Sequence, residues 1–357
     1  MTNKKALVAM SGGVDSAVCA YLLLRMGYGA EGVTMRLWSD GEVIPDAEET
    51  LPDGNCRDAR AVADALGIPH RSVALGETFR RCVIDPFMET YARGETPNPC
   101  VDCNRCLKFG ALSELARRGG FSHLATGHYA RIEQGADGRY LLKKAKDESK
   151  DQSYFLWGIS KELLPMLLFP LGNYTKAEIR GIAEANALPC AHRSDSQDIC
   201  FIPDGDYISF IEKHSDLSFP EGDFISPDGR ILGRHGGLIR YTVGQRKGLG
   251  IALGAPAFVQ KKCVSDNTVT LCTDAELYRT TLTANRLNFL TDETCEQQRR
   301  VLAKIRYRHT PASAVVERTE DDRLSVRFDE PQRAIAPGQS LVLYDGDVVL
   351  GGGVIER

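Results

Sequence analysis

The segment Ala9-Met-Ser-Gly-Gly-Val-Asp-Ser16 decides the fold of this chain. It lies between an apolar run at residues 5–10 and an apolar-periodic stretch at 17–26, so it predicts a glycine turn joining a buried strand to a helix start. Its two glycines let the backbone approach an anion, its serines add hydroxyl donors, and the helix N-terminus supplies N–H groups. The segment lacks the Gly-Lys-Ser/Thr ending of a Walker loop and the spacing of a dinucleotide fingerprint. We therefore predict a pyrophosphate cradle of another kind.

Length and composition limit the classes of protein to which this chain can belong. A chain of 357 residues with 43% hydrophobic and 26% charged residues is typical of two or three globular domains. No apolar run approaches the roughly 20 residues of a membrane span, and residues 1–5 lack a signal-peptide core, so we expect a cytoplasmic protein without membrane contact. Eleven cysteines then indicate thiol chemistry or metal binding rather than a disulfide framework. The net charge of −4 means that any nucleic-acid binding must use local basic patches.

Up to about residue 200, short apolar strands alternate with amphipathic helices. This βαβ rhythm predicts a parallel sheet covered on both faces. Thr175 with Glu178 three residues later predicts a capping box. The predicted strands are 6–10, 32–37, 70–75 and 123–127, and the predicted helices are 16–26, 57–66, 78–91, 107–118 and 176–186.

After Phe219 the sequence has closely spaced turn-forming residues, followed by runs rich in residues that favour β-strands. Runs at 301–307, 314–318, 324–328, 340–344 and 348–354 predict an antiparallel β-barrel or sandwich. We therefore predict an α/β protein with a Rossmann-like, nucleotide-binding catalytic domain, a small central domain and a C-terminal antiparallel β-barrel. The predicted boundaries are 1–205, 206–278 and 279–357.

A second group of candidate functional residues lies in the proline-containing stretch 96–109, which is predicted to place Cys100, Cys103 and Cys106 at the start of a helix. A helix N-terminus with basic side chains nearby lowers a thiol pKa and favours nucleophile or ligand chemistry. Cys200 lies in another segment, 195–202, where apolar neighbours are expected to bury it. The remaining cysteines considered are interpreted as small buried hydrophobic residues: Cys19, Cys82, Cys190, Cys263, Cys272 and Cys295.

Two basic patches offer sites for nucleic-acid phosphates. One covers residues 143–150, and the other covers 299–308 with Tyr307 and His309 interleaved. Basic side chains contact phosphates, and an aromatic ring stacks on an unpaired base. Taken alone, such patches are more often a solvated charged face.

The cradle resembles the PP-loop of ATP pyrophosphatases, and the whole chain resembles the bacterial tRNA-specific 2-thiouridylase family. Those enzymes replace the C2 oxygen of the wobble uridine with sulfur. The resemblance runs nearly end to end. Its most specific blocks are the PP-loop, the two cysteine segments and the glycine-rich part of the run Thr242-Val-Gly-Gln-Arg-Lys-Gly-Leu-Gly-Ile251. Further matching blocks are 125–129, 150–155, 233–235 and 336–339.

The resemblance implies how ATP is used. ATP adenylates the C2 oxygen, sulfur then displaces it, and AMP and pyrophosphate are released. Cys103 matches the nucleophile and Cys200 the cysteine that carries persulfide sulfur, and the two alternate between thiol and disulfide states. Asp15 is the expected Mg²⁺ ligand, since departing pyrophosphate needs a hard cation. The matching ATP positions are Ala9, Met10, Ser11, Gly12, Gly13, Val14, Asp15, Ser16, Met35 and Gly127.

The resemblance also implies partners. The substrate is tRNA, with the Glu, Gln and Lys acceptors expected, and sulfur comes from a donor or relay protein. Asn98, Pro99 and Cys100 match positions against the target base, with His128 beside it. Further tRNA-contacting matches are Lys150, Asp151, Gln152, Arg306, Tyr307 and Gln339.

Two features depart from the family pattern. Many members carry aspartate at the position of Cys100, and Cys106 adds a third thiol, so the alternative to a persulfide route is a [4Fe-4S] cluster held by Cys100, Cys103 and Cys200. The segment 51–58 is shorter than in relatives, with no clear effect on nucleotide or RNA contacts.

Two other classes of function are weighed against thiolation. A PP-loop ligase or amidotransferase acting on a small metabolite would share the cradle, but the chain shows no glutaminase or amine site. A non-catalytic RNA-binding protein would be expected to lack Asp15 or Cys103, and both are present.

Overall fold

The computed structural model describes residues 4–39, 42–48, 54–193, 199–202, 204–251, 254–292, 294–319 and 322–356. The chain divides into two compact units. The first comprises Met1–Ile84, Cys100–Gln197 and Gly346–Leu350, and the second comprises Asp85–Pro99, Asp198–Asp345 and Gly351–Arg357.

The first unit is built on a five-stranded, fully parallel sheet. Its strand order is β5-β2-β1-β6-β9, so β1 lies at the centre with β2 and β6 on either side. Strands β3 and β4 form a separate antiparallel pair, and β7 pairs antiparallel with β8, which also pairs with the later strand β19 (Val348–Ile355) at Val348. The strands are β1 (Lys5–Ala9), β2 (Gly29–Arg36), β3 (Trp38–Ser39), β4 (Glu42–Val43), β5 (His70–Ala74), β6 (His123–Ala125), β7 (Arg131–Gln134), β8 (Tyr140–Lys143) and β9 (Leu167–Leu168).

Helices cover this sheet, and α1 is almost wholly buried because both its faces pack on apolar neighbours. Two helices contain π-helical turns, at Arg80–Ile84 and Asn104–Ala111. Short 3-10 turns lie at Ser153–Phe155, Lys161–Met166, Pro170–Asn173, Leu238–Arg240 and Ala275–Leu277. The α-helices are α1 (Val14–Arg25), α2 (Gly54–Leu66), α3 (Gly76–Phe79), α4 (Asp85–Ala92), α5 (Pro99–Cys103), α6 (Leu112–Arg118), α7 (Lys176–Ala185) and α8 (Tyr207–His214).

The second unit contains a four-stranded sheet and a closed barrel. The small sheet has the order β11-β10-β13-β12, and the barrel has the order β14-β17-β16-β15-β18-β19, closed by pairing of β14 with β19. Its strands are β10 (Gly222–Ile225), β11 (Ile231–His235), β12 (Phe258–Cys263), β13 (Thr268–Cys272), β14 (Tyr278–Phe289), β15 (Arg299–Lys304), β16 (Ala312–Arg318), β17 (Leu324–Arg333), β18 (Ser340–Asp345) and β19 (Val348–Ile355).

The predicted fold class is confirmed, with a parallel-sheet domain followed by a C-terminal antiparallel barrel. The capping box at the start of α7 is also present, with Thr175 and Glu178 each accepting from the other's backbone N–H. Several elements were not predicted, among them β3, β4, β7, β8, β9, α8, the strands of the small sheet and β14. The two-residue strand β9 is too short to show a pattern, and β14 begins before the predicted β-rich region.

Candidate active site

The PP-loop leaves β1 at the carboxyl edge of the sheet and leads into α1. Gly12 has a φ of 75°, a conformation that favours glycine. The Ser16 hydroxyl accepts from the Ser11 backbone N–H at 3.2 Å and donates to the Gly13 carbonyl at 3.0 Å, which holds the loop closed. No side chain caps the start of α1. Its first backbone N–H groups can therefore bind an anion.

Gly127 follows the neighbouring strand β6 and packs directly on the PP-loop. A Cβ at this position would lie 2.8 Å from the backbone carbon of Asp15 and 3.0 Å from the Ser16 nitrogen. Only glycine allows this approach, so the structure brings Gly127 to the predicted ATP segment 9–16. Met35 is half-buried near the end of β2, the strand that pairs with β1 on its other side.

Asp15 lies in the first turn of α1 and bonds to two side chains from distant parts of the chain. Lys176 Nζ lies 2.8 Å from Oδ1 and 2.9 Å from Oδ2, and the Tyr129 hydroxyl donates to Oδ1 at 2.8 Å. The Lys176 side chain is only 12% exposed, and its ammonium also lies over the Tyr129 ring. A lysine from a distant part of the chain, which the sequence did not predict here, therefore neutralises the carboxylate at the PP-loop.

Arg193 is a second basic residue at the loop. Its Nη1 lies 3.5 Å from the Gly12 carbonyl oxygen and pairs with the Asp58 carboxylate. One signal could have revealed Lys176: it is the first residue of a capped helix after the edge strand β9, and helix starts at the carboxyl ends of parallel strands bind ligands. We find no comparable sequence signal for Arg193.

The donor set at the loop fits a magnesium ion that arrives with a triphosphate. Mg²⁺ is usually held by one or two carboxylates plus substrate phosphates, and Asp15 supplies one carboxylate at the loop. In the structure Lys176 already neutralises that carboxylate. Metal binding at Asp15 would therefore release or share the Lys176 ammonium.

The three clustered thiols occupy different settings. Cys100, in the first turn of α5, is exposed, while Cys103 and Cys106 are half-buried. Although the residue as a whole is exposed, desolvation of its sulfur raises the pKa of Cys100 despite the opposing charge of Lys108. Desolvation also raises the pKa of Cys106 to about 11. The expectation that a helix N-terminus lowers these thiol pKa values is therefore wrong for Cys100 and Cys106.

Cys200 belongs to the second unit and is exposed. Its neighbours Phe201 and Ile202 are buried, and the Phe201 ring packs against Phe87 at 5.4 Å and Phe210 at 5.3 Å. The flanking residues are therefore anchored as expected, but the expectation that they bury Cys200 itself is wrong. The matching residues Asp195 and Ser196 lie outside the described residues.

Within the described ranges, no three His, Cys, Asp or Glu side chains are grouped as a metal site requires. The predicted cluster ligands Cys100, Cys103 and Cys200 are all among those residues. Cys100 and Cys103 belong to the first unit and Cys200 belongs to the second, and we derive no step through a [4Fe-4S] cluster.

His128, predicted to lie beside the target base, is buried. Its Nδ1 lies 2.7 Å from the Thr126 hydroxyl, and its ring packs against Phe109 and Phe169. Burial, with a smaller contribution from Lys108, lowers the pKa of His128 well below its usual value. The imidazole is therefore neutral at physiological pH and acts as a hydrogen-bonding group rather than a cation.

The predicted tRNA residues at 150–152 support the loop after β6. The Asp151 carboxylate is buried and accepts from the backbone N–H groups of Ala145 and Ser153 and from the Ser153 hydroxyl. Gln152 Oε1 accepts from the Tyr129 backbone N–H at 2.9 Å. Lys150 is half-buried.

The other predicted tRNA residues lie in the second unit. Gln339 Nε2 donates to the carbonyls of Thr96 and Pro97, at 3.2 and 3.0 Å, and Asn98 Nδ2 donates to the Ser340 hydroxyl. Gln339 thus braces the stretch that precedes Pro99. Arg306 donates to the Arg333 carbonyl, and Lys304 lies over the Tyr307 ring.

Many side chains of the basic patches are already paired with carboxylates. Lys143 pairs with Glu133 and Asp347, Arg299 with Asp345, and Arg300 with Asp329.

Of the cysteines interpreted as buried, Cys19, Cys190, Cys272 and Cys295 are buried. Cys82 and Cys263 are half-buried, so that interpretation is wrong for these two.

Three family models match successive parts of the chain. The model for a tRNA methyl transferase HUP domain matches residues 4–204, a tRNA methyl transferase PRC-barrel domain matches 208–273, and an aminomethyltransferase β-barrel domain matches 279–355. The described part of the chain contains no helix long and apolar enough to cross a membrane.

The fold and loop thus define a HUP-domain protein with two accessory β modules. A tRNA-specific 2-thiouridylase MnmA of Clostridioides difficile (strain 630) is 45% identical over 356 residues, covering 99% of each chain. The protein of that name from Acetivibrio thermocellus is 46% identical over 363 residues, covering 100% of each. The chain therefore belongs to the tRNA-specific 2-thiouridylase family.

Solved structures match far less closely. A 4-thiouridine synthetase in complex with RNA and bound ATP is 22% identical with a TM-score of 0.34, covering 59% of this chain and 50% of that one. A likeness at this level carries no argument about function.

Proposed function

We propose that this chain is an ATP-dependent sulfurtransferase that thiolates C2 of the wobble uridine in tRNA. Family membership supports the reaction class, and the PP-loop with its Asp15–Lys176 pair is the observation that carries the ATP step. The expected acceptors are the tRNAs for Glu, Gln and Lys. The catalytic domain is proposed to span residues 1–205, with the central domain at 206–278 and the tRNA-contacting barrel at 279–357.

In the first step the uridine C2 oxygen attacks the α-phosphate of ATP and pyrophosphate leaves. We assign binding of the departing phosphates to the uncapped backbone N–H groups at the start of α1 and to the Lys176 ammonium beside Asp15. Mg²⁺, when bound to Asp15, would offset the negative charge of those phosphates. Adenylation makes the C2 oxygen a leaving group.

In the second step sulfur replaces that oxygen. The terminal sulfur of a Cys200 persulfide bonds to C2, and AMP leaves with the original oxygen. The Cys103 thiolate then attacks Cys200 Sγ, which leaves the terminal sulfur on the base and forms a Cys103–Cys200 disulfide. The exposure of Cys200 supports loading by a sulfur-donor or relay protein. A thiol reductant must restore both cysteines.

Exchange of labelled pyrophosphate into ATP tests the first step separately from the second. We expect exchange that requires unthiolated tRNA, is lost in Asp15→Ala, and persists in Cys103→Ala and Cys200→Ala, which should make no thiolated tRNA. Exchange without RNA would instead support a small-metabolite ligase, and no exchange under any condition would support a non-catalytic RNA-binding protein. Thiolation by Cys103→Ala would overturn its assignment as nucleophile.

The source of sulfur needs its own experiment. Protein purified without oxygen and assayed with a persulfide donor is expected to thiolate tRNA while containing no iron. Activity that depends on bound iron and sulfide would overturn the persulfide route.

A further inference from the structure

One stretch of the central domain is basic, although the chain as a whole carries a net negative charge of −4. Between Asp228 and Asp266 the sequence contains seven lysines and arginines and no aspartate or glutamate. This stretch lies outside the two basic patches at 143–150 and 299–308. It includes the glycine-rich run at 242–251, which has no role in the proposed reaction. The seven basic residues are Arg230, Arg234, Arg240, Arg246, Lys247, Lys261 and Lys262.

Some of these side chains are already paired, and Arg246 is not. Arg234 Nη1 donates to the Asp223 carboxylate at 2.8 Å. Lys262 is buried, and its ammonium donates to the Tyr241 carbonyl at 2.7 Å. Arg246 is exposed and has no carboxylate partner within the part of the chain that the structure describes. Its guanidinium is therefore available to an external anion.

Arg246 lines a cavity of about 510 Å³ in the central domain. The other lining residues are glycines, alanines, a proline and aliphatic residues from 248–251 and 255–257. The wall formed by these described residues thus contains one cation and no carboxylate. A concave wall with a single sign of charge attracts ligands of the opposite charge.

Glycines keep the backbone of this wall open. Gly248 and Gly250 have φ values of 74° and 70°, which favour glycine. A Cβ at Gly250 would meet nothing within 4 Å, so close packing does not demand a glycine there. The backbone conformation demands it instead, and the space beside the loop stays open to a ligand. Backbone N–H groups in turns of this kind form concave anion sites.

The loop is held in place before any ligand binds. Gln245 Oε1 accepts from the Thr242 backbone N–H at 2.9 Å, and its Nε2 donates to the Lys247 carbonyl at 3.0 Å. These two bonds fix the backbone on both sides of Arg246. Leu249 is buried in the hydrophobic core of the central domain. Because the site is preorganised, a ligand pays little for ordering it.

We propose that this cavity, with Arg246 on its wall, binds a backbone phosphate of the tRNA. The inference rests on the proposed function, which makes tRNA the substrate. A guanidinium forms bidentate, charge-assisted hydrogen bonds with phosphate oxygens. The cavity is larger than a carboxylate of a protein partner needs, and its apolar wall can cover the ribose that adjoins a phosphate. Such a contact positions the RNA without reading its sequence.

Fluorescence anisotropy of labelled, unthiolated tRNA with the full-length protein tests the site over a range of salt concentrations. We expect Arg246→Gln to weaken binding by about tenfold and to make the dependence of log K on log salt shallower by about 1. Arg234→Gln is the matched control, because it removes the same charge from the same domain at a residue already paired with Asp223. It should leave both quantities nearly unchanged.

A second variant approaches the site from the opposite wall. Ala255→Glu places a carboxylate at an exposed lining position and should weaken tRNA binding most at low salt. Because Ala255 is exposed, this variant gives an independent result even if Arg246→Gln fails to fold.

The outcomes separate this site from the proposed function. Equal affinity and equal salt dependence in Arg246→Gln and Arg234→Gln overturn the site and leave the proposed function intact. A wild-type protein that binds no tRNA refutes both. If Arg246→Gln binds tRNA normally but accepts sulfur poorly from a protein donor, the cavity takes an acidic protein partner, and the proposal is overturned.

Discussion

The ammonium of Lys176 lies within 2.9 Å of both carboxylate oxygens of Asp15, although 161 residues separate the two along the chain. The pair is mostly shielded from water on the lysine side and lies at the start of α1. An incoming triphosphate would compete with Asp15 for the Lys176 ammonium. Lys176 is therefore placed to exchange a carboxylate for a phosphate as ATP binds.

We expect Lys176→Met to slow tRNA-dependent pyrophosphate exchange by about tenfold to a hundredfold. The variant removes a charge-assisted hydrogen bond, which contributes about 1.5–3 kcal/mol. Steady-state exchange over a range of ATP concentrations measures the effect. Lys213→Met is the control, because Lys213 is an exposed lysine in α8, outside both basic patches. An exchange rate in Lys176→Met equal to that of Lys213→Met would contradict the role of Lys176.

Gly127→Ala should destabilise the first unit. The new Cβ would meet the Asp15 backbone at 2.8 Å, and backbone cannot move aside as a flexible side chain can. We expect the free energy of unfolding in urea to fall by about 1–3 kcal/mol, as in other overpacked sites. Gly181→Ala, within α7 and with nothing within 4 Å of its Cβ, should instead gain roughly 0.5–1 kcal/mol. Equal effects of the two substitutions would refute this packing argument.

The sequence predicted those parts of the site that are local in the chain. The glycine turn of the PP-loop and the capping box of α7 each follow from a few adjacent residues, and both are present. Contacts that depend on sheet order were not predictable in this way. Gly127 reaches Asp15 because β6 lies beside β1, and Lys176 reaches it because α7 follows the edge strand β9.

The thiols were harder to place for a different reason. Helix α5 runs into a π-helical turn at Asn104, which changes the direction of the following side chains relative to a regular helix. A second π-helical turn carries Cys82. Counting charges in the sequence did not show that desolvation outweighs the nearby lysine and arginine at Cys100 and Cys106.

Gln339 is expected to stabilise the stretch before Pro99 when no RNA is bound. Gln339→Ala removes two hydrogen bonds to the Thr96 and Pro97 carbonyls, each contributing about 0.5–1.5 kcal/mol. We expect hydrogen exchange of the Thr96 and Asn98 amides to accelerate by about fivefold or more in the free protein. Gln134→Ala, which removes a comparable bond to Gly138 in the β7–β8 turn, should leave those amides unchanged. Unchanged exchange in Gln339→Ala would favour a role in RNA contact alone.

The buried His128 should make the protein less stable in mild acid. Its pKa is lowered in the folded state, so below the ordinary value near 6.5 the unfolded chain binds a proton that the folded chain does not. Stability therefore falls with pH by about 1.4 kcal/mol per unit from this residue, beginning near pH 6.5. In His128→Asn this contribution is absent, so the difference in unfolding free energy between wild type and variant should shrink by about 1.4 kcal/mol between pH 7.5 and 5.5. Substitution of the exposed His192 by Asn is the control and should leave the wild-type pH dependence intact. Urea titrations at the two pH values measure the free energy of unfolding. If it changes by the same amount in wild type and in His128→Asn, His128 takes up its proton in the folded protein, against the geometry of its packed ring.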